Sequence, residues 1–207
     1  MFYVGLDLGK RLDFSALAVV EKAEPEPGIP GSRFDHVNWM YRQPKGLLVR
    51  HLERIHLGTP YTQVVTRIGK VIEGLRPHGR CDLVVDATGV GMPVVDMLRE
   101  AKLDCNLVPV LIISGAEQHR TNSVWYVPKV DLLAGLQSAL ERRILRIARK
   151  IPESALLVEE LMNVRVKVRS SGAMRVGADA FGQHDDLVLA VALAVWRAKR
   201  TGAWGDE

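Results

Sequence analysis

Apolar and polar positions alternate from the first residues of the chain: Phe2, Val4 and Leu6 would share one face of a strand, and Tyr3, Gly5 and Asp7 the other. Residues 2–6 therefore read as a first strand, 15–20 as a second and 34–41 as a third, with the proline- and glycine-rich segment 24–31 as the turn between the last two. Connections this short predict an antiparallel meander. Residues 60–75 change period, with Val64, Val65, Ile68, Val71, Ile72 and Leu75 at helical spacing and Pro77 just beyond, which predicts an amphipathic helix.

The middle of the chain has a different rhythm. Residues 81–85, apolar except for Asp82, read as a strand of the kind buried on both faces of a parallel sheet, 93–101 as a helix and 105–113 as another strand, together a β-α-β unit whose strands lie parallel. After a polar connection at 114–123, a helix is predicted at 128–141 with proline at its tolerated first turn, then a short strand or extended segment at 143–147 and a helix at 153–162. Residues 164–168 and 174–176 read as strands turned at 170–172, and 184–199 as a closing helix. The expectation is an α/β fold, one mixed sheet flanked by helices, occupying residues 1–207 as a single domain without repeats or low-complexity tracts.

Composition narrows this picture. With 207 residues of which 47% are hydrophobic, the chain can fill a core and disorder is not expected. A net charge of +4 fits an anionic partner without selecting nucleic acid by itself. Cys81 and Cys105 have no CxxC spacing and lie beside predicted strands, so they are read as reduced core residues rather than zinc ligands or a disulfide framework. The first residues lack a signal-peptide pattern, and the longest apolar run, ten residues at 187–196, is about half of what a membrane crossing needs. A cytoplasmic protein that does not cross a membrane is expected.

Aspartates stand where regular structure ends. Asp7 closes the first strand, Asp86 follows the apolar run 81–85, and Asp185 and Asp186 open the last helix. If the first strand lies beside 81–85 and parallel to it, Asp7 and Asp86 reach the same edge of the sheet, where open α/β sheets bind ligands. Successive helical residues point about 100° apart, so one of Asp185 and Asp186 can face that edge while the other lies beside it or caps the helix. Alone, Asp7 or Asp86 fits a turn or a cap, and the Asp185–Asp186 pair fits the helix dipole. Together they point to a divalent cation, which relieves repulsion between gathered carboxylates. Magnesium suits oxygen ligands and phosphate, and a two-ion arrangement suits phosphodiester hydrolysis. Asp13 reads as a turn residue, an accessory or a direct ligand.

Ordered fragments then give a resemblance over nearly the whole chain: Gly5-Leu6-Asp7-Leu8-Gly9 with Asp13-Phe14-Ser15; Asp86-Ala87-Thr88-Gly89-Val90-Gly91 with Val94-Val95-Asp96; Val127-Pro128-Lys129 with Asp131-Leu132; Glu159-Glu160-Leu161; and His184-Asp185-Asp186-Leu187-Val188 with Ala190. In these it is similar to the nuclease domain of the phage terminase large subunit, a member of the ribonuclease H-like superfamily. The resemblance implies an endonuclease that cuts concatemeric double-stranded DNA with magnesium or manganese, two ions expected, held by Asp7, Asp86 and one or both of Asp185 and Asp186. By position relative to Ala190, Asp186 would be the main ligand and Asp185 a close accessory. It further implies a phage or prophage origin, action in the cytoplasm of a bacterial host, and a packaging ATPase or portal as partner. Terminase large subunits carry an ATPase before the nuclease, whereas this sequence has no GxxxxGK[ST] loop and starts at the first nuclease strand. That pattern fits a lone nuclease domain, part of a split gene, or a relative reused outside packaging.

Other residues offer secondary chemistry. Arg165, Lys167 and Arg169 alternate with Val164, Val166 and Val168, and Arg175 follows in the expected hairpin partner. Such a ladder could track a phosphate backbone or protect an edge strand by charge. Arg142, Arg143, Arg146, Arg149 and Lys150 read as solvated surface or as a DNA contact, His184 as an accessory that orients water or phosphate or as a structural helix-start residue, and the four tryptophans as core or rim. Rival functions are an actin-like or sugar-kinase ATPase, which needs a second phosphate loop; a Holliday-junction resolvase-like nuclease, whose usual second acid is glutamate where this chain has Asp86; and a non-catalytic DNA-binding or assembly module, against which the intact acidic set argues.

Overall fold

A computed structural model describes residues 1–9, 13–23, 33–35, 40–42, 46–89, 91–115, 117–168, 174–178 and 184–203. In chain order the elements are β1 (Phe2–Asp7), β2 (Ser15–Ala23), β3 (Arg33–Asp35), β4 (Met40–Arg42), β5 (Gly46–Ile55), α1 (Tyr61–Leu75), β6 (Cys81–Asp86), α2 (Gly91–Glu100), β7 (Asn106–Ile113), β8 (His119–Thr121), β9 (Val124–Pro128), α3 (Lys129–Glu141), β10 (Leu145–Ile147), α4 (Ser154–Asn163), β11 (Val164–Val168), β12 (Met174–Ala178) and α5 (Asp186–Arg200). Eight strands form one sheet in the order β10-β5-β2-β1-β6-β7-β9-β8. The pairs β1–β2, β2–β5 and β8–β9 are antiparallel, and β1–β6, β6–β7, β7–β9 and β5–β10 parallel. The expected meander and β-α-β unit are both present.

The third strand of the meander is not 34–41. Residues there contribute β3 and β4, which pair with each other in a separate two-stranded sheet, and the main sheet instead takes β5. A bulge hid β5 from the period-2 pattern: opposite Val19 and Val20 the register passes from His51 to Val49, skipping Arg50. The bulge puts Leu47, Val49 and Leu52 in one core layer although their spacing changes from two to three, while Ile55 falls in the other layer. Strands β8 and β9 were also missed. β9 ends in Pro128, which occupies the cap position of α3, so the proline signals the start of the helix and not the strand before it. The turn expected at 24–31 lies outside the described residues.

Each face of the sheet carries its own core. Phe2, Val4 and Leu6 of β1 pack with Val64, Ile68 and Ile72 of α1 and with Val94, Val95 and Leu98 of α2. On the opposite face Tyr3 joins Leu132 and Leu136 of α3, Leu157 of α4 and the buried side of α5. The alternation in β1 thus sorts side chains between two layers of helices, with α5 lying on the Tyr3, Gly5 and Asp7 face. Cys81 is buried, Cys105 is half-buried, and neither is disulfide-bonded.

The contact between α5 and β1 is closer than a side chain permits. A Cβ at Gly5 would stand 1.9 Å from the Ala190 carbonyl oxygen and 3.1 Å from the Ala194 nitrogen. Beyond this contact the helix is fastened by Arg197, whose Nε donates to Asp82 Oδ2 at 2.5 Å, and by a 2.6 Å hydrogen bond between Tyr3 Oη and Thr201 Oγ1.

Gly5→Ala should therefore destabilise the protein by about 1–3 kcal/mol or more, as overpacking does. Gly135→Ala in α3, where a Cβ meets nothing within 4 Å, should stabilise it by about 0.5–1 kcal/mol. Urea denaturation of the two variants checks the pair, and equal effects would contradict the packing described.

Candidate active site

The candidate site forms where β1 and β6 end. These strands run parallel with Leu6 opposite Val85, so Asp7 and Asp86, the last residues of β1 and β6, stand side by side at one end of the sheet while still paired with Ala16 and Val110. The chain after β6 is held firmly: Ala87 N–H donates to the Val110 carbonyl at 2.7 Å, Thr88 N–H donates to Asp86 Oδ1 at 2.8 Å, and Ile112 N–H donates to Thr88 Oγ1 at 2.9 Å. Gly91 lets α2 begin against this turn, since a Cβ there would lie 2.3 Å from the Asp86 carbonyl oxygen. Asp186 is the first residue of α5 and Asp185 its cap position, so the close seat of α5 on β1 carries both toward Asp7.

Burial and mutual repulsion dominate the electrostatics. Asp7 is 7% exposed and Asp186 6%. Burial, then the charges of Asp86, Asp186 and Asp185, hold the Asp7 carboxyl well above the usual range, with Lys129 opposing. Burial also raises Asp86, against hydrogen bonds from Thr88 and Asp7. Asp186 is pushed up to about 6, chiefly by burial, with Asp185 and Asp13 adding to the rise and His184 and Arg54 countering it. The cluster thus tends to retain protons that isolated aspartates would release.

Several partners around the acids have no role assigned from sequence, although Lys129 and Glu160 stand in the fragments that carry the resemblance. Lys129, the first residue of α3, donates from Nζ to Asp185 Oδ2 at 2.6 Å. Arg54 of β5 pairs with Glu160 of α4, and its Nη2 is 3.8 Å from Asp186 Oδ2. Glu160 Oε2 accepts from the Val188 N–H at 3.1 Å, supplying the end of α5 with a cap that Asp185 does not provide. Burial raises Glu160 to about 7, against the Val188 N–H and Arg54. A signal for Glu160 existed: it stands three residues after Leu157, and these two are the buried residues of α4. An acid at a core position of an amphipathic helix needs a partner.

The predicted accessories are near the cluster. His184 Nδ1 lies 3.6 Å from Asp186 Oδ2, and its ring meets Phe14 edge-on with centroids 5.2 Å apart. Asp13 is exposed, yet its charge reaches Asp186. Of the proposed basic ladder, β11 and β12 pair with Lys167 opposite Arg175 and Arg165 opposite Gly177, while Arg169 lies outside the described residues. Arg143, Arg146, Arg149 and Lys150 are exposed, as a solvated surface requires. Trp196 is buried and Trp125 half-buried, edge to face at 5.6 Å.

Among the described residues, no three histidine, cysteine, aspartate or glutamate side chains already stand together at metal-ligand spacing. The chemistry of the donor set nonetheless suits a divalent cation. All its acids present oxygen, and Asp186 Oδ2 is buried with no hydrogen-bond partner.

No family model matches the chain, and no curated protein matches it in sequence. Solved structures do match. The large terminase nuclease of the thermophilic phage G20c has 22% identity, a TM-score of 0.63, and coverage of 95% of this chain and 82% of its own. The human cytomegalovirus terminase nuclease domain has 16% identity and a TM-score of 0.56 over 98% and 85% of the two chains. The chain has the ribonuclease H-like fold of the terminase nucleases. Against the HK97 bacteriophage large terminase it covers 39% of that longer chain, with 15% identity, a TM-score of 0.60 and 95% of this chain aligned. The G20c terminase nuclease has been solved with bound magnesium and cobalt, and the SPP1 terminase nuclease domain with bound manganese.

The raised carboxyl groups carry a pH signature. Glu160 at about 7 and Asp186 at about 6 lie above their ordinary 4.5 and 3.8, so the folded state binds more protons than the unfolded state between those values. Their contribution is complete below about pH 4 and is lost as pH rises through 6 and 7. Glu53, lowered on balance by Arg67 and His51 against burial, acts in the opposite sense but below this window. In EDTA, unfolding free energy from urea titrations should fall between about pH 5 and 7.5, and Asp186→Asn should flatten the fall. A stability that stays level or rises would contradict the electrostatics described.

Proposed function

We propose that this chain is a divalent-metal-dependent endonuclease hydrolysing phosphodiester bonds in double-stranded DNA. The observation that carries the reading is the convergence of Asp7, Asp86 and Asp186 from two parallel strand ends and one helix start, with carboxyl groups raised chiefly by burial, Asp7 also by the charges of Asp86 and Asp186, and one buried oxygen that accepts no hydrogen bond. A cluster of this kind in a terminase-nuclease fold gains from binding a cation whatever else it does.

Asp7, Asp86 and Asp186 would hold magnesium or manganese, two ions on the fullest form of the reading, with Asp185 as the close accessory. Bound there, the cation would neutralise charge on the scissile phosphate and acidify the attacking water. The protein's own residues do the rest. The Thr88 N–H fixes the Asp86 carboxylate, the Lys129 ammonium restrains Asp185 and offsets part of the site's negative charge, and the rigid β1–β6 ends keep the donors preorganised. His184 and Asp13 are accessories beside Asp186 that can orient water or phosphate. Arg165, Lys167, Arg169 and Arg175 would contact the DNA backbone without sequence choice.

The setting supported by the structural neighbours is cutting of concatemeric phage DNA during packaging in a bacterial host. A packaging ATPase and portal would then be partners, and translocation is assigned to no residue of this chain.

Supercoiled plasmid should be nicked or linearised with manganese or magnesium and left intact in EDTA. Asp7→Asn or Asp86→Asn should lower the rate by more than the ~10- to 100-fold typical of losing a mere supporting residue. A folded protein that cuts no DNA form with either metal would overturn the reading, and metal-indifferent DNA binding without cleavage would mark a non-catalytic module.

A further inference from the structure

Helix α5 begins at Asp186 without a side-chain cap of its own. Glu160 reaches across from α4 and uses its two oxygens differently: Oε2 accepts from the Val188 N–H at 3.1 Å, and Oε1 accepts from Arg54 Nη2. The same Nη2 lies 3.8 Å from Asp186 Oδ2, beyond hydrogen-bond reach. Arg54 Nε and Asp186 Oδ2 are both buried and lack hydrogen-bond partners, and the Phe14 ring covers the guanidinium with its centroid 4.7 Å away.

That arrangement is unusual in energy terms. A partly buried guanidinium with a buried, unused Nε–H close to a buried carboxylate with an unused oxygen gains by closing into a charge-assisted pair. Here the guanidinium is engaged elsewhere, by a buried acid whose position is itself fixed by the α5 backbone. The residues that meet at this point come from β5, α4 and α5, so the spacing is set by three separate elements rather than by one flexible loop.

We infer that Glu160 is a positioning residue that anchors the start of α5 and holds the Arg54 guanidinium off Asp186, so that Asp186 Oδ2 stays open for a divalent cation. The inference rests on the metal-dependent reading above. It assigns Arg54 and Glu160 a role at the site although neither is among the proposed metal ligands.

The two residues give a sign-specific test through manganese binding to the full chain, measured by calorimetry and kept separate from cleavage. Glu160→Gln retains an amide oxygen for the Val188 N–H but no longer neutralises Arg54, whose guanidinium then closes on Asp186. Manganese affinity should fall about 10- to 100-fold, as when other supporting residues of metal sites are lost. Adding Arg54→Met to Glu160→Gln removes the competing cation and should restore most of that loss, so the double variant binds manganese better than the single one. In cleavage, Glu160→Gln should raise the metal concentration for half-maximal rate while kcat at saturating metal stays close to that of the unsubstituted protein.

A double variant as weak as Glu160→Gln or weaker would overturn the inference, because a merely structural role does not reverse. So would Glu160→Gln binding manganese as the unsubstituted protein does, with the nuclease reading left standing. Should the unsubstituted protein bind no manganese, the nuclease reading falls and takes this inference with it. If circular dichroism shows Glu160→Gln unfolded, Arg54→Met alone decides: equal or tighter manganese binding supports the inference, and a loss of about tenfold overturns it.

Discussion

The seat of α5 on β1 is the constraint from which the rest of the site follows. Two backbones meet at Gly5 and Ala190 at a separation that excludes even a methyl group, and this fixes where the helix begins relative to where the strand ends. Asp186 and Asp7 are thereby held in one buried place by packing that has nothing to do with their charge. The far end of the helix is tied by Arg197 to Asp82 and by Tyr3 to Thr201, so the helix cannot slide to relieve the repulsion at its start. Apolar burial along α5, continuous from Leu187 to Trp196, provides the free energy that keeps the acids together.

What results is a locally frustrated cluster inside an otherwise consistent fold. Natural sequences violate local rules at functional sites and offset the cost elsewhere. Asp7, Asp86, Asp186 and Glu160 are all raised, principally by burial, and Lys129 and Arg54 offset only part of the charge. The surroundings restrain the acids without saturating them: Thr88 occupies one oxygen of Asp86, Lys129 one of Asp185, and Asp186 Oδ2 accepts no hydrogen bond, with His184 Nδ1 at 3.6 Å and Arg54 Nη2 at 3.8 Å. On the proposed reading, a cation would convert this strain into binding energy.

Much of the architecture was readable because hydrophobic periodicity and burial coincide. The alternation of β1 matches the two core layers between which its side chains are sorted, and the largely apolar β6 and the stripe of α1 match what the structure buries. The third strand of the meander was misplaced because the bulge at Arg50 interrupts its period just where the pattern would have declared it. β8 escaped because its three residues are all exposed on the sheet edge and carry no apolar signal. At the site, the acids at strand and helix ends were legible from position alone, since an aspartate closing an apolar run is out of place. Arg54 was not, because its meaning depends on three elements distant in sequence coming together; Glu160 was legible only as an acid at a core position of α4, not as the partner of Arg54 and of the Val188 N–H.

The most direct test is crystallographic: crystals of the protein grown or soaked with manganese, with anomalous difference maps collected at a wavelength where manganese scatters. The account predicts a peak bound by Asp7, Asp86 and Asp186 at the joint ends of β1, β6 and α5. Well-ordered crystals in which these carboxylates bind no manganese, or in which the ion sits only at other residues, would contradict it.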